Sequence, residues 1–249
     1  FRTMLCHENK IADLVPVDVV INLMICAAWR TATSRNNGIT VYNCCTGQQN
    51  AITWKKFVSN SFHAMRKNPI GDVIWYPDGK CRSNWMVNSF FAFTMHFLPA
   101  HLMDFLGRIA GKKPMMVRIQ SKLDKAAKCL EYFSTRQWRF IDDNVKTLNS
   151  FLSAEDKAEF NFDVTKINWS NYIEDYVLGI RHFIFKEHPS SLNSARRKLQ
   201  RMFWVHRITQ MILLLLVWRA VMLRSKTARQ LWFHFMDLVI RLSRMIPYV

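Results

Sequence analysis

The opening sixty residues alternate helix-like and strand-like hydrophobic runs, and almost everything after them has helical spacing. The stretch Ile11-Ala-Asp-Leu-Val-Pro-Val-Asp18 is short, apolar and punctuated by Pro16. It leads into Val19 to Ala28, which is apolar on nearly every face and is expected as a buried helix. Asp18 is placed to cap that helix, because a carboxylate there accepts the free amide protons of the first turn. Thr40-Val-Tyr-Asn-Cys-Cys45 is β-rich and ends at Gly47, so it reads as a strand with Cys44 and Cys45 on opposite faces. Thr53 can cap a second helix running from Trp54 to about Ala64. This alternation is that of an α/β fold.

Residues 65–82, with Pro69, Pro77 and Gly79, read as a loop or linker. From Ser83 to Met103 there are 21 residues without Lys, Arg, Asp or Glu. Helical rise makes that run about as long as a bilayer core is thick, about 30 Å. Polar Asn84, Asn88, His96 and His101 make a span costly, and Pro99 splits the run. Either a buried or membrane-surface helix pair or a true span fits. Met116, Ile119, Leu123, Ala127, Leu130 and Phe133 recur at spacings of three and four, with Lys122, Asp124, Lys125 and Lys128 opposite, an amphipathic helix. Val145, Leu148, Phe151 and Leu152 predict a shorter helix. Asn168 can cap a third, lined on one face by Trp169, Tyr172, Ile173, Tyr176, Val177, Ile180 and Phe183 and ended by Pro189.

The tail changes the picture. Its most apolar run, Ile208 to Trp218, lies between Arg207 and Arg219. Met202 to Leu223 would span a bilayer only if both arginines snorkel to the surface; a helix lying in the interface with its arginines on phosphates fits equally. Ile212, Leu213, Leu214, Leu215, Leu216, Val217 and Trp218 are the candidate lipid-embedded residues. Leu231 to Ile246 repeats the style with Trp232, Phe235, Leu238, Val239 and Leu242. The whole chain carries a net charge of +17, and from Arg196 onward Asp237 is the only acid. A basic, aromatic tail suits nucleic acid or an anionic membrane. Its apolar run favours the membrane, and no nucleic-acid-binding module is recognisable. The six cysteines have no Cys-x-x-Cys pair and no regular spacing, as expected of free thiols in a reducing compartment.

Several spaced motifs carry a resemblance. The order Val15-Pro-Val-Asp18, apolar helix, Val41-Tyr42-Asn43, Gly47 and Thr53 helix resembles the end of an extended short-chain dehydrogenase/reductase domain. Phe97-Leu-Pro-Ala-His-Leu-Met-Asp-Phe-Leu106, Phe160-Asn-Phe-Asp-Val164, Ile167-Asn-Trp-Ser-Asn-Tyr172 and Gly179-Ile-Arg181 resemble the male sterility domain of alcohol-forming fatty acyl-CoA reductases, the insect members most of all. The resemblance covers nearly the whole chain and thins after about Arg224. It implies a protein that reduces a long-chain fatty acyl-CoA to an alcohol with NADPH, through an aldehyde. It also implies attachment to a peroxisomal or endoplasmic-reticulum membrane, facing the cytosol. The cofactor's Gly-rich turn and the catalytic Tyr-x-x-x-Lys of that family find no counterpart here. The chain also begins at Phe1 without a Met, so it is expected to be the C-terminal piece of a longer, enzymatic protein and to be inactive alone. Tyr76-Pro-Asp-Gly-Lys80 matches the catalytic string only in letters, because Pro77 and Gly79 make a turn where the chemistry needs one helix face.

The resulting expectation is an α/β remnant of an extended Rossmann-type reductase domain, residues 1–75. A mainly α-helical male sterility domain follows at 76–190, then a basic, hydrophobic membrane-associated tail at 191–249. Among candidate sites, Asp104, Asp163 and Asp175 are too scattered for paired-carboxylate hydrolysis. His96 and His101, five apart, do not form a metal-ligand pair. There is no Gly-x-Ser-x-Gly and no phosphate loop. What remains is an apolar-lined acyl cavity, for which Phe90, Phe93, Phe97 and Trp169 are the candidate walls. A non-enzymatic membrane-surface lipid-binding protein derived from the same family is the competing reading.

Overall fold

The computed structural model describes residues 2–34, 38–73, 75–227, 229–234 and 237. These fall into two compact units, Phe1–Ile70 with Pro77–Leu192, and Gly71–Tyr76 with Asn193–Val249.

In the first unit the α/β character is slight. Strand β1 (Thr3–Leu5) pairs in parallel with β4 (Lys80–Arg82), and β2 (Ile11–Ala12) pairs antiparallel with β3 (Ile52–Thr53). Helices supply the rest: α1 (Val17–Thr33), α2 (Trp54–Lys67), α3 (Trp85–Ala92), α4 (Leu98–Ile109), α5 (Met116–Ser134), α6 (Asp143–Phe151), α7 (Ala154–Glu159) and α8 (Trp169–Gly179). No Rossmann sheet is seen among the described residues. Thr53 does cap α2, its hydroxyl accepting from the Lys56 amide at 3.3 Å, and Asn168 caps α8 through the amides of Ser170 and Asn171. Asp18 does not cap α1. The helix starts at Val17 behind Pro16, two residues earlier than that cap requires, and the Asp18 carboxylate accepts from the adjacent Val19 amide, at 2.9 Å. There it favours the positive end of the helix dipole instead.

The expected strand at Thr40–Cys45 is absent. Its neighbour is the loop entering α6, which offers no strand edge. The segment is held by side chains: Asn43 Nδ2 donates to the Ile141 carbonyl and Asn144 Nδ2 to the Val41 carbonyl, both at 2.8 Å. Tyr42 and Cys44 still turn toward the core. Helix α1 is not buried all round either. Val19, Leu23 and Cys26 pack on Leu148 and Leu152 of α6 and on Phe162 and Val164, whereas Val17, Ile21 and Met24 lie exposed because nothing in the unit covers them.

A second cluster joins Ala12, Ile52, Ala64, Trp169, Ile173 and Val177. Ile167 packs against both clusters. Residues from 1–75 and from 76–190 therefore contribute to both clusters. One side chain fastens the junction. Asn50 Nδ2 donates to the carbonyls of Val164 (2.9 Å) and Ile167 (2.8 Å), and Trp169 Nε1 donates back to the Asn50 carbonyl and Oδ1, both at 3.0 Å.

Pro99 does not split the apolar run. Residues 85–109 form one helical rod, because a π-helical turn at Phe93–Phe97 precedes the proline and the Leu98 amide reaches back to the Phe93 carbonyl. A single wide turn absorbs the hydrogen bond that proline cannot make. His96, Ala100 and Asp104 give the rod a buried, protein-facing side that a lipid-surrounded span would lack. Helix α5 is rotated relative to its pattern: Met116 and Ala127 of the stripe are half-buried and Lys122, Lys125 and Lys128 stay exposed as expected. Ile119, Leu123, Leu130 and Phe133 are exposed, while half-buried Asp124 and Glu131 and buried Ser134 face inward. The inward side has polar work to do: Ser134 Oγ donates to the Leu5 carbonyl at 2.8 Å, and the His7 amide donates to the Ser134 carbonyl.

Buried Arg181 closes the C-terminal end of the unit. Its Nε donates to Glu187 at 2.9 Å and its guanidinium also reaches the His188 carbonyl and Ser191, tying the π-turn at Ile180–Ile184 to the chain that follows. In the second unit, helix α9 (Leu192–Arg224) is clasped by the 71–76 segment. Lys198 Nζ donates to the Gly71 carbonyl, Trp75 Nε1 to His206 Nδ1, and Tyr76 stacks on His206.

Two outcomes are expected. Leu148, 1% exposed at the heart of the first cluster, should cost about 2–5 kcal/mol when changed to Ala, read as a lowered urea midpoint at unchanged slope. His96 Nε2 accepts from the amides of Arg2 (2.7 Å) and Thr3 (3.3 Å), and burial, with Arg2 adding to it, lowers its pKa to about 4. The folded protein then binds the proton less readily than the unfolded chain. Its stability is held at and above neutrality and declines as pH falls from about 6.5 toward about 4. Changing His96 to Gln should flatten that limb in urea titrations run across the interval.

Candidate functional site

Two concavities of the first unit are built around the β1–β4 pair. The larger, about 560 Å³, is polar, with Cys6, His7, Glu8, Lys10, Cys81 and Arg82 in its wall. Of its two thiols, Cys6 is the poor nucleophile. A hydrogen bond with Cys81, aided by burial, pushes the Cys6 thiol far above its ordinary range and lowers that of Cys81. A thiol kept protonated is unreactive at neutral pH.

The second, about 360 Å³, lies between β1, the α3 rod and α5. Trp85, Ala92, Phe93, Phe97, Met4 and Ala127 supply apolar wall. Asn88, His96, Asp124, Lys128 and Glu131 are polar members of its lining. The polar side chains are engaged: Asn88 Oδ1 accepts from Thr3 Oγ1 at 2.7 Å, Asp124 pairs with Lys128 at 2.8 Å, and His96 receives the β1 amides. Arg82 donates to the same Thr3 hydroxyl while its guanidinium lies 3.7 Å over the Phe91 ring, bracing the wall from behind. A pocket with apolar wall and hydrogen-bonded polar lining is suited to holding a segment of an alkyl chain; His96, kept neutral, is an acceptor there and not a charge.

Of the four residues expected to line an acyl cavity, Phe93 and Phe97 meet in this one. Phe90 is on the same rod but points outward, 62% exposed. Trp169 belongs elsewhere: it is packed into the second core cluster with its indole NH on Asn50, and it lines neither concavity. Of its stripe, Trp169, Ile173 and Val177 are core, whereas Tyr176 and Phe183 are exposed. The polar lining of the cavity was not evident from spacing, because His96 and Asn88 become neighbours of Asp124 only through the packing of α3 on α5. Asp104 also has a structural task. Its carboxylate accepts from the amides of Met115, Met116 and Val117 at 2.9–3.0 Å, capping α5 from α4, and these bonds, the one from Val117 foremost, hold its pKa below the usual range.

The first turn of α1 carries the Asp18 carboxylate behind Pro16 where a phosphate would sit, and residues 76–79 are not helical, so Tyr76 and Lys80 share no helix face. Among the described residues no group of three or more His, Cys, Asp or Glu could hold a metal ion.

The candidate lipid-embedded residues Ile212 to Trp218 all lie on α9 and are all exposed. Pro189–Arg224 is the one helical stretch among the described residues long and apolar enough to cross a membrane, and none of its most apolar part is buried. The continuation Leu231 to Ile246 lies largely outside the described residues.

Residues 95–187 match the male sterility protein family. Over 237 residues, 95% of its length, the chain is 37% identical to fatty acyl-CoA reductase 1 of Rattus norvegicus and 35% identical to that of Homo sapiens. It is 34% identical to fatty acyl-CoA reductase 2 of Bos taurus over 236 residues. The chain spans about half the length of these relatives, 46% in each case. The motifs Phe160–Val164 and Ile167–Tyr172 fall inside the matched region, and the structure uses them to build the shared core and the α8 cap. This chain is thus similar along nearly its whole length to part of the fatty acyl-CoA reductases, and its residues 95–187 match the male sterility protein family.

Proposed function

We propose that these residues serve in a fatty acyl-CoA reductase that converts a long-chain acyl-CoA to a fatty alcohol with NADPH. In that enzyme they supply acyl-chain binding and membrane attachment, and the reductant is bound by other residues. The observation that carries the reading is the relation to fatty acyl-CoA reductases over 95% of the chain. Two features support the division of labour. The cavity walled by Phe93 and Phe97 offers apolar surface to an acyl segment, and α9 presents an unburied apolar stretch that lipid would cover at no polar cost. Arg207 and Arg219, at either end of that stretch, have the reach to place their guanidinium groups at headgroup depth. A peroxisomal or endoplasmic-reticulum membrane, on its cytosolic side, is the proposed address. No step of hydride transfer is assigned to a residue of this chain.

A chimera in which this chain replaces the aligned part of the rat relative, supplied with hexadecanoyl-CoA and NADPH, should form hexadecanol. A folded chimera that binds vesicles and yields no alcohol would favour the lipid-binding reading instead. In an active chimera, Phe93→Ala or Phe97→Ala should move the chain-length profile of the alcohols, and an unmoved profile would remove the cavity from acyl binding. Introducing arginine at both Leu213 and Leu215 should shift the protein from the membrane pellet to the soluble fraction, because charge at the centre of an apolar helix costs about 2.5–3.5 kcal/mol per residue.

A further inference from the structure

The α4–α5 hairpin carries an apolar surface that the fold leaves uncovered. Leu102, Phe105 and Ile109 share one face of α4, and Ile119 and Leu123 share one face of α5, with Met115 at the turn between them. All six are exposed, Ile109 at 71%. Sequence spacing alone would turn the α5 stripe inward, but the inward side is taken by Asp124, Glu131 and Ser134, so the stripe is left outside by construction.

The charges around this surface have one sign. Arg108, Lys112, Lys113, Arg118, Lys122 and Lys125 are interspersed with its residues along the hairpin, and from Phe105 to Leu123 there is no acidic residue. The nearest acid in sequence after it, Asp124, is turned to the inward side and paired with Lys128. The cations of α5 fall beside the apolar stripe: Arg118 precedes Ile119 and Lys122 precedes Leu123.

The tip is also rigid. Gly111, at φ +70°, ends α4 with its amide on the Arg108 carbonyl while the Lys112 amide reaches the Gly107 carbonyl, a paired closure that needs a left-handed residue. Asp104 then fastens the first amides of α5 to α4. The apolar and basic side chains are therefore presented on a fixed frame.

We propose that the α4–α5 hairpin is an interfacial membrane contact, separate from α9, that lays Ile109, Met115 and Ile119 into the acyl boundary of an anionic bilayer with its lysines and arginines on lipid phosphates. Charge selects this occupant. A second copy of the same face would bring six cations against six, and an apolar protein partner would leave them unpaired. Apolar side chains flanked by Lys and Arg match the two layers of an anionic membrane surface, headgroup and acyl boundary. The site adds to the proposed membrane role of α9 and does not depend on it.

The test uses the full chain with exposed Cys129 changed to Ser and a single new cysteine at Ile109, at Leu214 or at Glu155, each labelled with an environment-sensitive NBD dye. Vesicles of phosphatidylcholine and phosphatidylserine, with and without brominated acyl chains, are added. Dye at 109 should shift to the blue and be quenched by brominated lipid, less so at high salt, while dye at exposed Glu155 on α7 is not. Changing both Lys112 and Lys113 to Glu should weaken binding through 109 about thirtyfold or more and leave quenching at 214. Quenching at 214 with none at 109 overturns the proposal and leaves α9 as the membrane element. Quenching at 109 with none at 214 supports the hairpin and removes α9. A blue shift at 109 without vesicles, unaffected by brominated lipid, overturns the proposal in favour of a protein cover or self-association.

Discussion

Asn50 and Trp169 hold together what would otherwise be two loosely joined halves. The turn from Val164 to Ile167 has carbonyls that point inward, and a buried carbonyl without a donor is costly. Asn50 satisfies both with one amide group, and its own oxygens are satisfied by the Trp169 indole. Because Ile167 packs on both apolar clusters, the position of this turn sets how α1 and α6 on one side meet α2 and α8 on the other. No apolar side chain could replace Asn50, since none would donate to either carbonyl.

Each of the two units leaves much apolar surface outside. The outer face of α1, the α4–α5 hairpin and the apolar length of α9 are exposed in a chain whose motifs are otherwise spent on packing. Exposed apolar patches of this extent mark contacts with something else, and the charge around each differs. The α4–α5 face is interspersed with cations, and the apolar run of α9 has arginines only at its ends. Those differences distinguish a surface suited to headgroups from one suited to the hydrocarbon layer.

The segments that carry the family resemblance turn out to be architectural. Phe162 and Val164 are core, Asn168 is a helix cap, and Arg181 is a buried clamp on Glu187 and Ser191. Such residues mark a fold without being its chemistry. The cavity that does offer a site is made from Phe93, Phe97, His96 and Asn88, of which Phe97 alone belongs to one of those motifs.

The sequence by itself determined where most helices lie, that Thr53 and Asn168 cap two of them, and that the Leu213–Leu216 helix has an apolar surface. Each follows from local spacing or from one side chain reaching an amide two or three residues away. It misled wherever a partner decided the outcome. Thr40–Cys45 had strand composition but no strand edge to meet. The apolar stripe of α5 had the period of a core face, yet β1 needed the hydroxyl and carbonyl of Ser134, so the Ser134 side turned in. Trp169 had the character of a cavity wall and became core, because its indole NH found Asn50 across 119 residues of chain. Only tertiary structure settles such matters, since a buried polar group is placed by the partner that satisfies it, and that partner is not a neighbour in sequence.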